Sequence, residues 1–168
     1  MQQQFKKIEQ AFSLYSDRDI IPLASDGDWS MHHLLEYLME KSGPAEVWIS
    51  SFSITEVAVR TFLNLHEKGL IRELHCLFDF TVKHHKVGLL FFASNIVSEI
   101  AIDKCHAKLI LIRNEKFTIT VIASANFNIN DKKEVAVIHF SQWFFDFYHQ
   151  QLSQWIESGI KISAGEFN

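Results

Sequence analysis

Between Phe5 and Leu14 the apolar residues fall at positions 5, 8, 11, 12 and 14, a helical stripe that the polar run Ser16-Asp17-Arg18-Asp19 ends. A peripheral helix is predicted there. After the turn-rich Ser25-Asp26-Gly27-Asp28, a second helix is predicted from Ser30 to Lys41, with Leu34, Leu35, Leu38 and Met39 inward and Gly43-Pro44 as its stop. Glu46 to Phe52 reads as a short strand. Ser53 and Glu56 have capping-box spacing ahead of the apolar stripe Val57, Phe62, Leu63 and Leu65, and Gly69 closes that helix. Ile71 to Phe80 reads as a strand, so strand, helix and strand follow within one βαβ crossover, and a parallel pair is expected. Val87 to Ala93 fits either a helix or a buried strand, while Asn95 to Ile102 alternates like a strand. His106 to Ile112 and Phe117 to Ala123 predict an antiparallel hairpin closed by the loop Arg113 to Lys116, and Glu134 to Phe140 one further strand. The last helix is predicted from Ser141 to Ser158, with Phe144, Phe147, Tyr148, Leu152, Trp155 and Ile156 on one face and Gly159 at its end.

Composition narrows the class. With 168 residues, 48% hydrophobic and 21% charged, the chain suits one α/β domain, residues 1–44 forming a helical lead-in and 141–168 an aromatic helix and tail. Disordered and low-complexity classes are excluded by this composition. No apolar run is long enough to span a membrane, and the start lacks the apolar core of a secretory signal, so the expected compartment is the cytoplasm. Cys76 and Cys105 are too few for a disulfide scaffold and read as small core residues. The net charge of −4 argues against a general polycation, yet residues 103 to 133 carry six basic and three acidic groups. The stretch is locally basic.

Three His-x-Lys triplets occur, at His66, His84 and His106. The first lies in a helix's last turn and the second in the ambiguous segment, where solvated side chains explain them. In the third, a strand would put His106 and Lys108 on one face. If Ile112 faces Phe117 across the hairpin, His106 lies opposite Ala123 and Cys105 opposite Ser124, which brings Ala123-Ser124-Ala125-Asn126 beside the histidine. An imidazole, an ammonium, a hydroxyl and an amide then meet at one end of the hairpin. That set suits a phosphate. Imidazole can attack phosphorus or protonate a leaving oxygen, and Lys and Asn can hold the charged phosphoryl oxygens, with no metal required.

The string His106-Ala107-Lys108, then Ala123-Ser124-Ala125-Asn126, then Glu134 resembles the single-motif nuclease branch of the phospholipase D superfamily, over roughly Glu46 to Phe140. The resemblance implies an α-β-α sandwich with a mixed sheet flanked by helices. It also implies a metal-independent phosphodiesterase acting on DNA or RNA through a covalent phosphohistidine. One motif per chain implies a homodimer, with His106 of one subunit as nucleophile and His106 of the other as acid. The implied catalytic set is His106, Lys108, Ser124, Asn126 and Glu134, with Glu134 beside the histidine to fix its ring. Two positions depart from the pattern: Arg113 stands where the superfamily has an aspartate, and Ala123 where it has a glycine.

Plainer explanations exist for each feature. Ser124 could cap a turn, Lys132 and Lys133 could be a solvated loop tip rather than guides for a nucleic-acid backbone, and the aromatic stripe could be core or serve the dimer. A zinc site from Cys76, His84, His85 and Cys105 matches no familiar spacing, so no metal or cofactor is expected. Two other functions compete: a nucleic-acid-binding module without turnover, suggested by Arg113, and phospholipid hydrolysis by the same histidine.

Overall fold

The computed structural model describes residues 3–15, 18–85, 93, 96–129 and 131–162. Eight strands form one mixed sheet: β1 (Ile20–Asp26), β2 (Ala45–Ser51), β3 (Ile71–Asp79), β4 (Glu99–Asp103), β5 (Leu109–Arg113), β6 (Thr118–Ala123), β7 (Lys133–His139) and β8 (Ile160–Ile162). Their order is β1-β7-β6-β5-β2-β3-β4-β8. The pairs β2/β3 and β3/β4 are parallel and all others antiparallel. Helices α1 (Gln3–Leu14), α2 (Met31–Ser42) and α3 (Glu56–Glu67) cover one face, and α5 (Gln142–Ser158) covers the other. The short α4 (Phe80–His85) follows β3. The architecture is the expected α-β-α sandwich.

Two cores follow from the alternation of side chains across the sheet. Val47, Ile49, Cys76, Ile110 and Ile112 join the α1–α3 core, whereas Trp48, Leu77, Leu109 and Leu111 pack under Phe145, Leu152 and Ile156 of α5. β2 is buried on both faces, which is why it reads as a nearly unbroken apolar run. Both cysteines are buried and free, as expected of core residues. They belong to different cores, on opposite sheet faces, so they cannot share a zinc ion. The side chains of His84 and His85 lie outside the described residues.

Several boundaries differ from the sequence reading for identifiable reasons. α3 starts at Glu56 behind Thr55, and the predicted Ser53–Glu56 box does not form because Glu56 instead pairs with Arg60 one turn on. A reciprocal cap occurs at α2, where His33 Nδ1 accepts the Ser30 N–H at 3.2 Å. β1 was hidden by Pro22, which an edge strand tolerates because its missing N–H breaks no interior ladder. In α5 the fully buried ring is Phe145, absent from the predicted stripe, while Phe147 and Trp155 are exposed. Residues 86–92, which hold most of the ambiguous Val87–Ala93 segment, lie outside the described residues, as does Asn95.

The hairpin forms, but two residues out of the expected register. Ile112 pairs with Ile119, not Phe117, because Asn114 Oδ1 accepts the N–H groups of Lys116 and Phe117, both at 2.9 Å, and tightens the turn. Consequently β5 begins at Leu109, and His106 lies in the preceding turn rather than in the strand. Ala123 N–H donates to Lys108 O at 3.1 Å, and Ser124 pairs its backbone with Val135. The expected facing of His106 with Ala123 and of Cys105 with Ser124 is therefore corrected.

Candidate active site

The strand directions bring one set of ends together. The C-terminal ends of β2, β3, β4 and β6 and the N-terminal ends of β5 and β7 share one edge of the sheet. Ser51, Asp79, the His106 turn, Lys108, Ser124 and Glu134 all sit along it. The C-terminal edge of parallel strands is where open α/β sheets place ligands.

His106 is exposed and Lys108 is 7% exposed. Lys108 Nζ lies 3.1 Å from His106 Nδ1 and donates to His106 O, so the two side chains meet although no strand periodicity aligns them. The Phe52 ring lies against both, its centroid 5.3 Å from that of His106 and 5.9 Å from Lys108 Nζ. Burial lowers the Lys108 pKa, and the Cys105 and Glu134 side chains oppose that shift. An ammonium donating to Nδ1 leaves the proton of a neutral imidazole on Nε2. Attack from Nε2 therefore requires Lys108 to turn its donors to another acceptor, such as phosphate oxygens.

Asn126 Oδ1 accepts the Phe52 N–H at 3.2 Å and lies 3.2 Å from Ser51 Oγ. Because the Phe52 N–H can only donate, the amide is fixed with its oxygen on Ser51 and Phe52, and among the described residues no hydrogen bond from its two N–H donors is seen. Ser124 Oγ donates to a Glu134 carboxylate oxygen and accepts the Val135 N–H at 3.0 Å. Glu134 thus holds Ser124 and acts electrostatically on Lys108, rather than contacting the imidazole. Lys132 and Lys133 lie exposed just before Glu134, at the same edge. Among the described residues no group of three or more His, Cys, Asp or Glu side chains is placed to hold a metal.

With this geometry in hand, solved structures give a likeness. Nuc from Salmonella typhimurium, a phospholipase D family member, superposes with a TM-score of 0.68 at 13% identity, over 86% of this chain and 97% of its own. The chain has the phospholipase D fold. NucT from Helicobacter pylori superposes with a TM-score of 0.62 at 13% identity, over 85% of this chain and 99% of its own. TrmBL2, an archaeal chromatin protein whose structure shows a novel mode of DNA binding, gives 0.60 at 8% identity, over 94% of this chain and 60% of its own. At such identities the likeness is one of fold. No protein-family model matches the chain, and no curated protein does either.

Within the phospholipase D fold, Arg113 proves remote from His106. It ends β5 at the opposite edge of the sheet, where its guanidinium bonds Glu46 at 2.7 Å and lies 4.9 Å from the Trp48 ring centroid. Arg113 therefore does not reach the His106 edge of the sheet. Sequence reasoning missed Asp79, Phe52 and Lys104. Lys104 is exposed in the turn that carries His106. The available signal was positional: Phe52 and Asp79 end or follow parallel strands, where such sites collect.

Proposed function

We propose that this protein is a metal-independent phosphodiesterase, a nuclease acting on DNA or RNA through a phosphohistidine at a site completed by a second copy. The observation that supports the reading is the contact of Lys108 with His106 against the Phe52 ring, with the Asn126 amide oxygen held by the Phe52 N–H at the same sheet edge. Phosphate oxygens would take over the Lys108 donors and free the ring. A ring nitrogen then gives its lone pair to phosphorus, the P–O bond to the leaving group breaks, and the departing oxygen takes a proton from the second subunit's His106. In the second step water gives a proton back to the second subunit's His106 as its oxygen attacks phosphorus, the N–P bond breaks with its electron pair returning to the ring nitrogen, and both imidazoles are restored. Lys132 and Lys133 are suited to guide the nucleic-acid backbone toward this edge.

The second copy is supported by an uncovered apolar face. Among the described residues no helix covers the outer side of β1 and β7, where Ile20, Val135 and Val137 are exposed, and α5 itself presents Trp143 and Phe147 to solvent. Val135 is hydrogen-bonded to Ser124, so this face runs directly into the site.

Protein held in EDTA should cleave single- or double-stranded nucleic acid or bis(p-nitrophenyl) phosphate, and His106→Ala should abolish cleavage. Undiminished turnover in that variant would sink the mechanism. A binding module without turnover is the second reading, favoured by the Lys108 ammonium seated on His106 Nδ1. Salt-dependent binding with no cleavage of any phosphodiester would select it.

A further inference from the structure

Asp79 ends β3 beside the turn that carries His106. Its Oδ2 accepts the Cys105 N–H at 3.1 Å, and its Oδ1 accepts the Thr81 N–H at 2.9 Å. Thr81 in turn donates its hydroxyl to Phe52 O at 3.4 Å, and the Phe52 ring lies against His106. One carboxylate therefore anchors the residue before His106 and, through Thr81, the aromatic surface beneath the imidazole. Burial alone would raise the Asp79 pKa, but the Thr81 and Cys105 donors and the nearby imidazole together bring it below its ordinary value. The group is an anion at neutral pH.

The proposed chemistry places a positive charge on the ring. As the N–P bond forms and the P–O bond breaks toward its protonated leaving oxygen, the ring becomes cationic. Lys108 has the wrong sign to help and is drawn to the phosphate. Glu134 acts on Lys108, whereas the Asp79 carboxylate and the His106 ring act on each other. We propose that Asp79 is the positioning residue of this site: it fixes the His106 turn through the Cys105 N–H and balances the cation that forms on the ring. The inference rests on His106 being the nucleophile. An electrostatic partner of this kind needs no contact with substrate, because a preorganised charge acts over several ångströms in a partly desolvated site.

Asp79→Asn separates the two functions, since an amide oxygen still accepts one backbone N–H while the charge is gone. With bis(p-nitrophenyl) phosphate in EDTA, Asp79→Asn should lose roughly 10- to 100-fold in kcat per folded molecule with KM within about twofold, a loss well beyond any fall in the folded fraction. Asp79→Glu should recover part of the loss, and Asp79→Ala should lose more. Wild-type kcat in Asp79→Asn, or a loss that follows the folded fraction, overturns the proposal. A wild-type protein without turnover refutes the nucleophile instead. The ring-nitrogen NMR shifts of His106 then decide on Asp79 independently: they should change in Asp79→Asn, and unchanged shifts reject its action on the ring.

Discussion

Lys108 keeps an ammonium at 7% exposure because its Nζ reaches His106 Nδ1 and the His106 carbonyl. Burial holds its folded-state pKa below its ordinary value of 10.5. The resulting cost to folding is present at neutral pH and disappears only as pH rises through that folded value to 10.5 and beyond. An apolar side chain of similar length removes the cost. Lys108→Met should therefore raise the stability measured in urea by about 1 kcal/mol while abolishing turnover, the exchange of stability for function expected at a site residue. A less stable Lys108→Met would show that the ammonium is held for folding rather than for chemistry. The identity of this residue was legible from the sequence. Its burial was not, because the turn from Cys105 to Lys108 is shaped by Asp79, 26 positions away in the chain.

Arg113 acts between elements. It joins β5 to β2 through Glu46 and lies over Trp48 and Phe145, so it ties α5 to the sheet. The ion pair is partly solvated and screened, and the ring contacts should carry more of the effect. Arg113→Ala should cost about 1 kcal/mol in chemical denaturation and leave kcat within about twofold, since the site lies at the other end of β5. A collapse of kcat with little change in stability would return Arg113 to the chemistry. At this scale the sequence was informative where one period dominated: the parallel β2–α3–β3 unit, the β5–β6 hairpin and α5 all show it. It was silent where side chains set the geometry. Asn114 sets the hairpin register through two N–H acceptances, and β8 has only three residues, too short for any periodicity.

At the scale of the molecule, the candidate site residues were readable as a spaced string, but Asp79 and Phe52 became neighbours of His106 only through sheet order. The uncovered β1–β7 face was likewise invisible until β1 was placed on the edge beside β7. If that face joins two copies, Val137→Lys should shift sedimentation from dimer to monomer and remove turnover together, while the unfolding midpoint stays near wild type. An active monomer would refute the shared site. Protonation of buried histidines should give the whole fold an acid-sensitive limb. Burial brings the His32 pKa down to about 3, with His33 adding to the shift, and burial also lowers those of His33 and His149. The unfolded chain then binds protons that the native state refuses. The contribution of these histidines should be level above pH 6.5, their ordinary value, and fall as pH drops below it, by up to about 1.4 kcal/mol per pH unit for each such group. Glu36, whose pKa burial raises, works in the opposite direction, but among the described residues it stands against three histidines. Asp28, Asp79 and Glu99, all lowered, add losses only at more acidic pH. Urea unfolding between pH 7 and pH 5 should show this slope, and His32→Asn should flatten it whatever its absolute stability, because it removes the most buried of the three. An equal slope in the variant would mean that the imidazole at position 32 accepts its proton without unfolding.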